Sequence, residues 1–257
     1  MASRFLSVAA LLVAAAACVL ANTQSPINIK SSEAVDAELP ALSFKHYRSS
    51  QSSYYLANTG HGCQITLKNW LYNPKVKGGP LPRTFVLEQV HFHWGASDGV
   101  GSEHYLNGNP SSMEVHLVHW NSKYASYSEA STKADGLAVI GFFIEGIDNY
   151  RNPDFQKLVN AIPKIVAEES EKVEVNADLL AWVVPYLEAS GYYTYDGSLT
   201  TSPYSENVLW IVYENPIPIG KAQIAPFRAI ENHESEQLTT NFRQLQNADG
   251  VEVRYVA

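Results

Sequence analysis

Cysteine is almost missing from this chain. Cys18 and Cys63 are the only two in 257 residues, too few for the set of bridges that holds a small secreted domain together. Basic charge is also short, with 18 Lys and Arg against 26 Asp and Glu and a formal charge of -8. A chain with that balance is poorly suited to a phosphate backbone, and no nucleic-acid partner is expected. Beyond residue 21 no run is long and apolar enough to span a bilayer, and the end, Glu252 to Ala257, is not the apolar tail of a lipid-anchor signal. No Asn-x-Ser/Thr acceptor occurs, and there is neither an internal repeat nor a low-complexity linker. One domain follows.

What is present begins with Arg4 and the run Phe5 to Leu20, apolar or small apart from Ser7 and ending Val19-Leu20-Ala21 before polar Asn22 and Thr23. Its core of about 16 residues is shorter than the roughly 20 of a membrane span. It reads as a secretory signal peptide, residues 1–21, cleaved after Ala21. The domain is then 22–257, secreted, with no membrane span. Cleavage removes Cys18 and leaves Cys63 as a small buried hydrophobe.

Fifteen Tyr, nine Phe and five Trp within 46% apolar content supply ample core. Strand-like runs cover Tyr54 to Ala57, Gln64 to Leu67, Thr84 to Trp94, Met113 to Trp120, Leu137 to Ile144, Tyr192 to Tyr195 and Val208 to Tyr213. Turn signals such as Asn73-Pro74, Asp98-Gly99 and Asp196-Gly197 separate them. The best helical stretch, Asp154 to Val166, is interrupted by Pro163. The charge run Glu168 to Lys172 reads as solvated surface with no function. The fold class is mainly β (α+β): one strand-dominated domain with short peripheral helices.

His91 and His93 alternate with Val90, Phe92 and Trp94, so both imidazoles share one face of a strand. In the next strand Glu114, His116 and Val118 share a face, and His119 points the other way. Neighbouring strands would bring His91, His93 and His116 together, and three neutral imidazoles with an open fourth position suit catalytic zinc. Spacing alone leaves rivals. The cupin pattern also starts with His-x-His on a strand, although Phe85 stands where its Gly belongs and only Asp98 is available for its Glu. A His-x-His-x-Asp hydrolase would need Asp where Gly95 stands.

The motifs are longer than that. Gln89 to Gly95, Gly101-Ser102-Glu103-His104 and Glu114 to Asn121 closely resemble the alpha class of carbonic anhydrases. So do Ser198 to Pro203, Val208 to Val212 and the entry motif Gln24-Ser25-Pro26, and the resemblance runs from Gln24 to about Arg254. It implies a central twisted, mostly antiparallel sheet of about ten strands, and a zinc enzyme that hydrates carbon dioxide reversibly to bicarbonate and a proton. His91, His93 and His116 become the Zn2+ ligands. Gln89, Glu114 and the Asn241 carbonyl take the ligands' outer N–H groups. Glu103 and Thr200 orient the hydroxide, and Val118, Val139, Leu199, Thr201, Val208 and Trp210 form the substrate pocket.

Regenerating hydroxide requires loss of a proton, and a donor of pKa about 7 releasing directly to water is restricted to roughly 10³ per second. Faster turnover needs a shuttle. By the resemblance this is His61, with Asn58, Gln64 and Thr201 holding the intervening waters. His104 supports the fold.

Three departures stand out. Gln24 follows the expected cleavage point by only two residues, whereas the family carries a longer segment there with aromatics that close one side of the cavity. Tyr204 occupies the place where secreted members carry one half of a disulfide. Ser202-Pro203 replaces a Pro-Pro pair and, like Ser25-Pro26, is expected to be cis. The alternative is a catalytically silent binding or matrix protein on this fold. The expected partner is the small-molecule substrate, carbon dioxide or bicarbonate, and the expected state a monomer.

Overall fold

The computed structural model describes residues 23–49, 53–68, 72–189 and 191–257. The expected signal peptide, with Cys18, lies outside the described residues.

Long β-branched and aromatic runs pair into a 12-stranded sheet. Its continuous path runs Val173–Val175, Tyr54–Asn58, Cys63–Leu67, Leu81–Trp94, Met113–Asn121, Leu137–Ile147, Val208–Gly220, Tyr192–Gly197, Arg254–Val256 and Val35–Asp36. Ser43–Lys45 and Lys75–Gly78 branch from the Leu81–Trp94 strand. The path thus holds the expected ten strands, and the branch makes up the difference. Pairing is antiparallel except between Leu137–Ile147 and Val208–Gly220, and between Arg254–Val256 and Val35–Asp36. The sheet is therefore mixed. Asn28–Ile29 and Tyr105–Leu106 form a separate parallel pair.

Alternation along the central strands gives the sheet two unlike faces. Val90, Phe92, Trp94, Val115, Leu117 and Ile140 belong to the larger apolar cluster, packed against the short helices through Phe155, Trp182 and Phe227. Phe92 meets Phe227 at 5.4 Å and Trp182 at 5.9 Å between ring centroids. The opposite face carries His91, His93 and His116 together with a second cluster that includes Val118, Val139, Val208 and Trp210. Cys63 is fully buried, and burial pushes its thiol far up, so it is an inert core residue.

The parity of the Leu81–Trp94 strand changes at Glu88. Leu87 pairs with His119 and Gln89 with Val118, which leaves Glu88 as an extra residue. This bulge lets Phe85 and Leu87 enter the same core as Val90, Phe92 and Trp94. Odd-numbered positions serve the core before it, and even-numbered ones after it. The helical stretch expected from Asp154 to Val166 is an α-helix only over Phe155–Val159, followed by a 3₁₀ turn at Ile162–Lys164. Pro163 sits in the first turn of that second piece, where its missing N–H is tolerated. Both Ser25-Pro26 and Ser202-Pro203 are cis.

The chain leaves the histidine strand through Gly95. A Cβ there would lie 1.8 Å from the Val100 carbonyl oxygen and 2.7 Å from its carbon, so backbone would have to move. Gly95→Ala is expected to destabilise the protein by about 2 kcal/mol or more, read as a lowered urea midpoint with unchanged slope. An unchanged midpoint would show that the turn yields freely.

Candidate metal centre

Register, rather than loop geometry, assembles the site. His91 lies directly opposite His116 in the antiparallel pair, and His93 lies opposite Glu114. Residues paired in this way share a face and stand within side-chain reach. His93 Nε2 is 3.1 Å from His116 Nδ1, which is 3.2 Å from His91 Nε2. His93 and His116 are buried, while His91 is partly open to a cleft of about 410 Å³.

Each ring has an acceptor at its far nitrogen. His91 Nδ1–H donates to Gln89 Oε1 at 2.8 Å, His93 Nδ1–H to the Asn241 carbonyl at 3.0 Å, and His116 Nε2–H to Glu114 Oε1 at 2.7 Å. An acceptor can be met only by a protonated nitrogen, so these contacts place the ring protons on the outside. Three inward lone pairs then converge with no proton among them. Burial, reinforced by the neighbouring imidazoles, pushes the His91 and His93 pKa values down, which disfavours imidazolium at those two rings. Glu103 Oε2 adds a further acceptor, 3.3 Å from His93 Nε2 and without a hydrogen-bond partner among the described residues, although the residue is only 1% exposed. Four acceptors this close together suit a bound cation. Neutral nitrogen ligands with no thiolate favour zinc among divalent metals.

Glu114 anchors the outer layer. Oε1 also accepts from His104 Nδ1 at 2.8 Å, and Oε2 accepts from the backbone N–H groups of Glu103 and His104. Burial opposes ionisation, but His104 and His116 outweigh it and hold the Glu114 carboxyl well below the usual carboxylate range. His104 Nε2 then accepts from the Tyr195 hydroxyl at 2.6 Å, which is 2.8 Å from Ser25 Oγ. His104 thus supports the fold. Glu103 Oε1 accepts from the Arg243 backbone N–H at 2.8 Å.

Val118, Val139, Leu199 and Trp210 line the cleft beside His91 and His116, with Thr200 and Thr201 at the same wall. Val208 is buried in the same apolar cluster but is not among the residues lining the cleft. Gln64 is the cross-strand partner of His91. Asn58 is tied to protein: its Nδ2 donates to the Val166 and Glu231 carbonyls at 2.8 Å each, and its Oδ1 accepts from Gly60 N–H. His61 is exposed on the loop that follows.

Sequence reasoning passed over His233. It stands 3.3 Å from His61, Nε2 to Nε2, on a tip more than 170 residues away along the chain, and no local pattern marks it.

His119 faces away from the triad, as alternation requires, and its Nε2 meets the Tyr47 hydroxyl. Burial pushes His119 down from 6.5 to about 3. The unfolded chain takes up a proton there as pH falls below 6.5, and the folded protein does not until about 3. The stability from this site is therefore complete above the ordinary histidine value and is lost as pH falls toward the folded one. His119→Gln is expected to flatten the acid limb of stability against pH by roughly 1.4 kcal/mol per pH unit, one proton's worth, in urea titrations. Parallel limbs would contradict it.

The sequence profile of the eukaryotic-type carbonic anhydrases matches residues 13–257. Carbonic anhydrase 1 of Monodelphis domestica is 37% identical over 239 residues, covering 91% of this chain and 88% of the relative. Mitochondrial carbonic anhydrase 5A of Rattus norvegicus is 38% identical over 237 residues, 90% of this chain and 76% of the relative. Carbonic anhydrase 7 of Homo sapiens is 38% identical over 233 residues, 88% and 86% respectively.

Proposed function

The chain belongs to the eukaryotic-type carbonic anhydrase family, a family of carbonate dehydratases, and from that membership we propose that it is a zinc enzyme hydrating carbon dioxide reversibly to bicarbonate and a proton. The observation that carries this reading is the set of three inward ring nitrogens whose outer N–H groups all have acceptors. His91, His93 and His116 would hold zinc, which would supply a Lewis acid able to acidify a bound water to near neutrality, for which this family is the standard case.

The residues around it do the rest. Neutral imidazoles return no negative charge to the metal, and their fixed tautomers keep all three lone pairs aimed inward. Glu103 Oε2, lacking a partner, takes the hydroxyl proton of Thr200. With its own proton so engaged, Thr200 can only accept at the reacting centre. It therefore selects a nucleophile that bears a proton and turns that nucleophile's lone pair toward the substrate. Carbon dioxide has no net charge and offers little to bind, so the apolar wall of Val118, Val139, Leu199 and Trp210 suffices, with Thr201 as a polar edge. His61 carries the released proton outward, with waters held by Gln64, Thr201 and Asn58.

The silent binding protein is the less favoured reading, because silent members of this fold usually lose a ligand histidine and none of the three is lost here. We place the enzyme outside the cell as residues 22–257, on the strength of the apolar run Phe5 to Leu20. No helix among the described residues is long and apolar enough to cross a membrane. In cells expressing the full chain the protein should appear in the medium with Asn22 as its first residue, and a protein kept inside the cell with Met1 retained would overturn the secretory assignment. Hydration itself is tested by stopped flow with a pH indicator on protein of measured zinc content. Inert, folded, zinc-loaded protein would sink the reading.

A further inference from the structure

The proton path does not end at His61. Its Nε2 faces His233 Nε2 at 3.3 Å, with ring centroids 4.6 Å apart and planes at 79°. His233 Nδ1–H in turn donates to Glu168 Oε1 at 2.6 Å. Three side chains from three distant segments thus form one connected line at the surface.

The surroundings are built to hold it. Asn58, three residues before His61, clamps the segments carrying the other two members through its bonds to Val166 and Glu231, and Glu231 N–H donates to the Val166 carbonyl at 2.8 Å. The tip presenting His233 is closed by Asn232, whose Oδ1 accepts from the Glu234 and Glu236 N–H groups. Gly60 leaves space for the ring: a Cβ there would lie 2.2 Å from His233 Cε1, and its φ of +73° already excludes most side chains. The charge run from Glu168 therefore contains one carboxylate with a defined partner.

An imidazole passes a proton on without turning over if it receives at one nitrogen and releases at the other. We propose that His233 is a second relay residue for the hydration proton and that Glu168 is its positioning residue. A proton reaching His61 Nδ1 from the cavity releases the Nε2 proton to His233 Nε2. His233 then gives its Nδ1 proton to water or buffer beside Glu168, and both rings, neutral but left in the opposite tautomer, recover their starting tautomers by proton exchange with solvent at their exposed positions. No charge accumulates and His61 need not swing outward. This rests on the hydration reading above.

The test separates the two. Turnover of zinc-loaded wild type, His233→Ala and Glu168→Gln is measured in weak buffer and again in concentrated imidazole. His233→Ala should lower kcat in weak buffer by about threefold or more, Glu168→Gln by less, and imidazole should erase both deficits. Glu168→Asp should restore part of the loss. The ring ¹⁵N spectrum of His61 should show a hydrogen bond at Nε2 in wild type that His233→Ala removes. Equal turnover in weak buffer, or a His61 Nε2 signal unchanged in His233→Ala, overturns the relay while leaving hydration intact. Wild type inert even in concentrated buffer would remove the hydration reading, and the relay with it.

Discussion

His93→Ala should lose zinc, and with it hydration, while the fold survives. The three nitrogens act as a unit: with one removed, His91 and His116 still present lone pairs 3.2 Å apart, but two imidazoles cannot close a tetrahedral site. Loss of a mere outer partner of a ligand already weakens metal binding by about 10–100-fold, so loss of a ligand should exceed about 100-fold, leaving dialysed protein without stoichiometric metal. His119→Ala, three residues beyond a ligand on the same strand but on the other face, should keep its zinc. The contrast is the informative part, since both substitutions truncate a buried imidazole in the same strand pair. Zinc measured by atomic spectrometry after dialysis decides it, and the reverse pattern would overturn the face assignment.

Glu103→Gln should keep zinc and lose rate. The carboxylate makes one bond inside the protein, from Arg243 N–H to Oε1, and leaves Oε2 open on the metal side. An amide in its place would present an N–H where an acceptor is required. The Thr200 hydroxyl would then turn around and no longer discriminate the nucleophile's orientation. Misplacing a preorganised polar group at a reacting centre costs about 10²–10³ in kcat, and that is the expected loss. Thr200→Val should fall by a similar factor, and the double variant should cost little more than either alone, because on the proposed reading the two act as one unit. Stability should hardly change, since exchange for a neutral group of the same shape removes a buried charge. Full activity in Glu103→Gln would assign orientation to another group.

Much of this was readable beforehand because alternation on a strand is a strong constraint. Val90, Phe92 and Trp94 against His91 and His93 fixed which residues face which way, and the same held for His116 against His119. The bulge at Glu88 was not readable, since an extra residue changes no side-chain chemistry and is visible only in the pairing. The edge strands escaped as well. Val35–Asp36, Ser43–Lys45 and Val173–Val175 are too short to show a period, and their place in the sheet is set by backbone bonds that any sequence can make. Resemblance supplied what local pattern could not, notably the Asn241 carbonyl, a backbone acceptor 148 positions from the ring it serves. It gave no hint of His233, whose significance lies wholly in the approach of one surface tip to another. Asn58 was read for its amide's affinity for water, yet its amide hydrogens join two loops.

The claim at the centre is that three imidazoles from adjoining strands hold one zinc with a position left for water. X-ray absorption at the zinc edge of the purified protein tests it most directly. The account predicts one zinc per chain, in a four-coordinate shell of three imidazole nitrogens at about 2.0–2.1 Å and one oxygen. A sulfur in the shell, fewer than three imidazoles, or metal far below one per chain would contradict it.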